Sequence, residues 1–354
     1  MTTEGGLGGP SWSQMLDDAV VALAWAPDGR RLAVATAAGS VATLEESGHI
    51  EQNRVRHASG VTCLDWFGDE VVSGGVDGRV LVGHRLHHVG GYVTSLAVTH
   101  DRLAVAHGRQ VTLLDEFTCA QRSSTVAKVR WTPHRRGLVM CGFGFVTELE
   151  LASGRESDVV LRWGGSVESV DWSPRGDWAG GGTRGETNYL WQRPLTPPDE
   201  VVPDAASAMV LPCPSSTGRL VVFDDAGNHL SIGTRGGLAV FDLDGADPVA
   251  GPTGRLLPVF CDITALVWWP EMPVAVLGAS TSDGGGGVLS VRCDSEASPV
   301  GVVDLRSPVS CVAWNPTRTN LAVGCVDGQV HLLARDPSWD WRQTASSWAV
   351  TDQW

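Results

Sequence analysis

The sequence is poor in several things that would have pointed to a particular chemistry. Lysine occurs once in 354 residues, as Lys128, and tyrosine twice. Acidic side chains (40) outnumber basic ones (26) for a net charge of -14. Gripping phosphate takes clustered Lys and Arg, so nucleic acid is not an expected partner. No apolar run approaches the roughly 18 to 20 residues that cross a bilayer, so no membrane association is expected either. The opening stretch, MTTEGGLGGP, has neither the basic n-region nor the apolar h-region of a secretory signal, which leaves a cytoplasmic location as the expectation. Cysteines stand singly at 63, 119, 141, 213, 261, 293, 311 and 325, with no CxxC pair. That spacing excludes a zinc ribbon or a disulfide framework and leaves buried free thiols. There is no GxSxG elbow, HExxH, Walker loop or paired dinucleotide glycine motif, so no cofactor is implied and catalysis is the less favoured class. The use of Arg in place of Lys, with abundant Gly and Ala, points to GC-rich coding sequence and a bacterial source.

What the chain has in excess is glycine (43), tryptophan (15) and repetition. An aliphatic residue, a second aliphatic three places on, and an aromatic or aliphatic two places further recur as Val20, Leu23, Trp25 and as Val61, Leu64, Trp66. The same pattern returns as Val93, Leu96, Val98, as Val126, Val129, Trp131, as Val167, Val170, Trp172, as Ile263, Leu266, Trp268 and as Val309, Val312, Trp314. A looser copy ends on Val221 and Phe223, with Gly218 at its first position. The last two positions of each copy share one face of a strand, and the intervening residues are mostly small, as befits a strand packed on both sides. A Pro- or Gly-bearing turn follows, then a second apolar run, a glycine turn such as Val76-Asp77-Gly78 or Val326-Asp327-Gly328, and a third run. Spacings of 32 to 51 residues between copies leave room for a fourth strand in each. A period of about 40 to 45 residues with four strands per unit predicts a β-propeller. The fold class is therefore all-β, a single propeller of four-stranded antiparallel blades, with eight blades preferred over seven.

These features resemble the WD-repeat (WD40) family, most closely in VVALAWAPDGRRLAVAT, VVFDDAGNHLSIGTRGGLAVFDL and VSCVAWNPTRTNLAVGCVDGQVHLL. The resemblance spans residues 18 to 340, with residues 1 to 17 as an N-terminal segment able to supply a closing strand and 341 to 354 as a Trp-containing tail. Trp replaces the family's usual Phe in the first strand, and Gly-His before a blade occurs only as Gly48-His49. The resemblance thus implies blades held by apolar packing around the Trp positions in place of the His and Asp bonds that tie many of its members.

On this architecture the turns joining second and third strands, and the loops entering first strands, emerge on one face. That face is expected to carry His107, Arg109, Phe143, Phe145, Arg184 and Arg235 with the inter-blade residues Trp163 and Arg306, an Arg and aromatic composition suited to a protein partner. Charges stand where other units place alanine on the inner strands, at Asp65, Arg130 and Asp171 with Lys128 nearby, and Arg130 and Asp171 are positioned to pair across a blade interface. His84 and His88 fall on one face of a strand and are the only weak metal candidates; no metal is expected. In the tail, Trp348 and Trp354 either pack back on the blades or offer a peptide for capture by another protein. The leading functional expectation is a non-catalytic scaffold or accessory subunit for protein partners, among them an enzyme encoded nearby. The alternative is a propeller that binds a small molecule or metal in its central channel.

Overall fold

The structure, a computed structural model, describes residues 6–51, 55–114, 117–133, 137–151, 166–183, 187–192, 209–212, 220–247, 251–293 and 298–339. Among these, every regular element is a strand, and no helix is long and apolar enough to cross a membrane. The architecture is of the β-propeller class with eight antiparallel blades. Two compact units divide them: Met1–Val93 with Val259–Trp354, and Thr94–Pro258.

In the first unit, blade 1 comprises Val20–Trp25, Arg31–Thr36, Ser40–Glu45 and Val55–Arg56, and blade 2 comprises Val61–Phe67, Glu70–Gly75, Arg79–Val82 and Arg85–His88. Blade 7 joins the second half of Gly251–Trp268 to Val274–Ser280, Gly286–Arg292 and Ser298–Asp304. Blade 8 runs Val309–Trp314, Asn320–Cys325 and Gln329–Arg335, and its outer strand is Leu7–Met15, which pairs antiparallel with Gln329–Arg335. The second unit holds blade 3 (Val93–Val98, Leu103–His107, Gln110–Leu113, Phe117–Gln121) and blade 4 (Val126–Trp131, Gly137–Gly142, Phe145–Glu150). Blade 5 follows with Val167–Trp172, Trp178–Thr183, Thr187–Gln192 and Met209–Pro212. In blade 6, Leu220–Phe223 pairs with His229–Asp247, a strand that folds back on itself so that the Leu243 amide donates to the Asn228 carbonyl at 2.7 Å. The looser sequence copy is therefore a blade like the others, with Val221 and Phe223 buried.

The aliphatic spacing of three in each inner strand has a structural cause. Residues three apart on a regular strand face opposite sides, but the pairing register slips immediately after the first aliphatic: between Val20 and Ala22, Val61 and Cys63, Val126 and Lys128, Val167 and Ser169, Ile263 and Ala265, and Val309 and Cys311. Each slip is a β-bulge, which returns the two aliphatics to one face and re-aims the residue between them. Where that position is threonine, it bridges two blades. Thr62 donates to Gly74 O and to Val93 O (2.9 and 2.7 Å), Thr94 to Ala106 O and Val126 O (3.1 and 2.7 Å), and Thr264 to Gly278 O and Val309 O (3.0 and 2.5 Å).

The first aliphatic of one blade is seated on a glycine of the blade before it. A Cβ added at Gly74, Gly278 or Gly324 would lie 2.5 to 2.6 Å from Cγ1 of Val93, Val309 or Val20, and within 3 Å of the side chain of Cys63, Ala265 or Cys311. In four inner strands the closing tryptophan donates its indole N–H backwards: Trp25 to Ala313 O (3.1 Å), Trp66 to Ala24 O (2.8 Å), Trp131 to Ala97 O (2.9 Å) and Trp314 to Trp268 O (2.9 Å). The hydrophobic core is accordingly laid down between blades, as in the layer of Val20, Trp25, Leu32, Val34, Leu44, Ala322, Val330 and Leu332 between blades 8 and 1. The six described cysteines are free, and burial pushes the thiols of Cys141, Cys311 and Cys325 up to about 12, so they are packing atoms with no nucleophilic character at neutral pH.

The glycine seat predicts a specific sensitivity. Gly324→Val should lower stability in urea unfolding by about 1–3 kcal/mol, the usual cost of overpacking. Gly9→Ala, where nothing lies within 4 Å of an added Cβ, should stay within about 0.5 kcal/mol of wild type. Equal effects at the two sites would contradict the packing described.

Candidate functional site

In the first unit, the turns between second and third strands are tied by backbone bonds to the segments entering the inner strands. Ala37 N donates to Ala19 O at 2.8 Å, Val76 N to Gly60 O at 3.0 Å, and Val326 N to Pro308 O at 2.9 Å. Each turn also meets the segment entering the following blade: Leu16 N donates to Gly328 O and His57 N to Gly39 O (both 2.9 Å), and Val89 N to Gly78 O at 3.1 Å. Residues 326–328, 15–19, 37–39, 57–60, 76–78 and 89–92 therefore form one continuous surface across blades 8, 1 and 2.

That surface holds side chains that a folding chain would ordinarily hide. Val326 is 51% exposed, Val76 54% and Met15 55%, with Tyr92 also exposed. Val21, exposed on the inner strand of blade 1, occupies the bulge position that carries a bridging threonine in blades 2, 3 and 7. Beneath Val76 the turn is anchored by a buried polar network. His57 lies with Nδ1 3.0 Å from Asp77 Oδ1 and Nε2 2.9 Å from Ser73 Oγ, while the Ala58 amide donates to Asp77 Oδ2 at 2.9 Å. Burial pushes the Asp77 carboxyl up, but the bonds from His57, Ala58 and Arg79 outweigh it and hold the group below the ordinary carboxylate range. Blade 1 carries a shorter version, in which Asp17 accepts hydroxyl bonds from Ser40 (2.5 Å) and Thr36 (3.0 Å); these, chiefly the Ser40 bond, hold its carboxyl low. The expectation of blades tied by apolar packing alone is thus corrected in blade 2, where the histidine stands after Arg56 instead of after a glycine and so escapes the Gly-His pattern.

In the second unit, Phe143 is 64% exposed on a turn flanked by Gly142 and Gly144, and its carbonyl accepts the Ser124 hydroxyl at 2.8 Å. Arg109 is exposed on the corresponding turn of blade 3. His107 and Phe145 are not available there. The strand Leu103–His107 runs on to His107, which is buried and bonded through Nε2 to Thr112 Oγ1 at 2.9 Å, and the strand Phe145–Glu150 begins at Phe145, which is buried with the Arg122 guanidinium 5.7 Å from its ring. The turns are two residues shorter than the sequence suggests, and the flanking side chains point into the core. Trp163, Arg184, Trp348 and Trp354 lie outside the described residues, as does the side chain of Arg235. Arg306, in the first unit, is exposed with φ 59°, and its amide donates to Asp304 at 2.8 Å.

Arg130 and Asp171 do meet, with Nη1 and Oδ1 3.7 Å apart. Asp171 also accepts the Phe223 amide at 3.1 Å, and burial raises its carboxyl in spite of Arg130. It therefore links three successive blades, 4, 5 and 6. Lys128 is half-buried on the same strand as Arg130, and Asp65, half-buried on blade 2, accepts the Trp66 amide at 2.8 Å. His84 and His88 do not share a strand face. His84 sits in the turn before Arg85–His88, and His88 is at the far end, opposite Arg79. Among the described residues no group of three or more His, Cys, Asp or Glu converges as a metal site.

The apolar surface of blades 8, 1 and 2 was not anticipated. Valine, methionine and tyrosine read as core residues, and only for Val76 and Val326 does a position immediately before the Asp-Gly of a tight turn signal exposure.

Comparison with known proteins bears on the fold. Residues 11–69 match a family described as the anaphase-promoting complex subunit 4 WD40 domain, and residues 299–332 match the WD domain, G-beta repeat. Among curated protein sequences none matches. The β-propeller domain of Cps50 (Swd1) from Myceliophteria thermophila is similar in structure, with TM-score 0.61 and 12% identity over 93% of this chain and 99% of that one. The Dos1 propeller gives 0.72 and 14% over 93% and 95%, and the computationally designed Ika8 protein 0.65 and 17% over 92% and 100%.

The Asp77 network makes a pH prediction. A carboxyl held low by its partners contributes stability that is complete above the ordinary carboxylate pKa and is lost as pH falls through the lowered value, here below about pH 4. Asp77→Asn should cost about 1–3 kcal/mol at pH 7, and the gap to wild type should close toward pH 2. A gap absent at pH 7, or undiminished in acid, contradicts the network.

Proposed function

Because the chain is a WD40-repeat β-propeller, we propose that it acts as a non-catalytic protein-interaction scaffold or accessory subunit. WD40 propellers generally bind protein partners, and that fold-level analogy sets the class. The observation that carries the reading for this chain is local. Val76 and Val326 are more than half exposed, yet their turns are fixed by main-chain bonds to the inner strands. Phe143 is held out on a turn whose carbonyl accepts the Ser124 hydroxyl. Large apolar side chains on rigid turns gain nothing in water and lose little entropy when covered, which is the composition of a binding surface. Arg109 beside the Phe143 turn adds the residue type most often found at interface anchors. The finer expectation is a cytoplasmic bacterial scaffold serving an enzyme encoded nearby, of which the near-exclusive use of arginine for cations supports the bacterial source.

The test is affinity purification of the tagged chain from its native cells, with quantitative identification of what is retained. Wild type should hold a protein at near-stoichiometric ratio, and the triple variant Val76→Asp, Val326→Asp, Phe143→Asp should retain at most about a tenth of it. Recovery of a bound small molecule or metal with no protein partner would contradict the scaffold reading.

A further inference from the structure

Of the nine large apolar side chains exposed among the described residues, Met15, Val76, Tyr92 and Val326 lie on the continuous surface of blades 8, 1 and 2. The turn of blade 1, between the Val326 and Val76 turns, carries only the small side chains of Ala37 and Ala38. Carboxylates gather beside it. The position of Gly328 lies against the carbonyls of Asp18 and Leu16, at 3.0 and 3.3 Å from an added Cβ, which brings Asp327 alongside Asp17 and Asp18. All three are exposed. Asp18 and Asp327 accept only nearby bonds, from the amide of Ala19 (2.8 Å) and from the amide and side chain of Gln329 (3.1 and 3.0 Å), which leaves acceptor capacity facing solvent. Of the cations nearby, Arg56 is paired with Ser40 across the outer strands of blade 1 and acts on Asp17, whereas Arg79 stands on blade 2 and Arg306 on the segment leading into blade 8.

Resting on the protein-interaction reading, we propose that this surface docks a segment of a partner protein that combines bulky apolar anchors with Arg or Lys. The anchors settle over Ala37 and Ala38 between Val326 with Met15 and Val76 with Tyr92, and the cations meet Asp18 and Asp327. Apolar contact supplies the affinity, while the carboxylates select against acidic segments and, with the chain's net charge of -14, speed the approach of basic ones.

The experiment is selection of a random 16-residue peptide library displayed on phage against the full chain, followed by binding of selected synthetic peptides to variants. Selected peptides should be enriched in Arg or Lys together with Trp, Phe, Leu or Met. They should bind Val326→Asp at least about tenfold more weakly, and Asp18→Asn with Asp327→Asn several-fold more weakly, the latter loss shrinking at high salt. Thermal unfolding confirms that each variant is folded, and the Asn pair alters no packing. Enrichment of acidic or uncharged peptides, or binding untouched by these variants but lost in Phe143→Asp, overturns this inference while leaving the interaction reading intact. A dimer in sedimentation equilibrium that Val326→Asp dissociates overturns it in favour of a second copy as occupant. Failure to select any peptide, together with no partner from native cells, removes both.

Discussion

A single bulge, repeated at the top of the inner strands, is the constraint on which the structure depends. One extra residue after the first aliphatic lets six residues do three jobs. The aliphatic drops onto the glycine of the preceding blade, as Val93 does on Gly74 and Val20 on Gly324. The bulged residue, where it is threonine, reaches the main chain of the following blade. The tryptophan reaches back to the carbonyl of the preceding one. Where these residues occur, neighbouring blades are held by short polar bonds set within an apolar layer, and each indole bond is worth on the order of 1 kcal/mol beyond the burial of its ring.

Cohesion placed in the strands frees the turns beyond them. The first residue of each turn in blades 8, 1 and 2 is bonded through its amide, so the side chain at that position can vary without cost to folding. The protein uses that freedom differently in its two units. Blades 8, 1 and 2 present Val326, Ala37 and Val76, whereas blades 3 and 4 present Arg109 and Phe143. Such variation on a fixed frame is how one architecture serves many partners.

Much of this was legible in the sequence because the inner strand repeats with its chemistry intact. The recurring Trp25, Trp66, Trp131 and Trp314 announced a shared position, and the spacing of three between aliphatics already contained the bulge. The pairing of Arg130 with Asp171 could be read from adjacent units with charges at one position. Less could be read where a single residue decides. Thr62 and Thr264 look like ordinary surface hydroxyls until the neighbouring carbonyls are in place. His107 and Phe145 looked like turn residues because strand ends are the least certain part of any pattern, and one extra residue of pairing turned both inward. The exposed valines were hidden by their own type, since apolar residues ordinarily signal core.

The central claim is that exposed apolar side chains sit on turns held as rigidly as the blades beneath them. Native-state amide hydrogen exchange tests it most directly, at the amides of Val76 and Val326, whose side chains are exposed but whose N–H groups are bonded to Gly60 and Pro308. The account predicts protection of both amides comparable to that of the inner strands, with opening only in larger cooperative events. Exchange as fast as in an unstructured loop would contradict it.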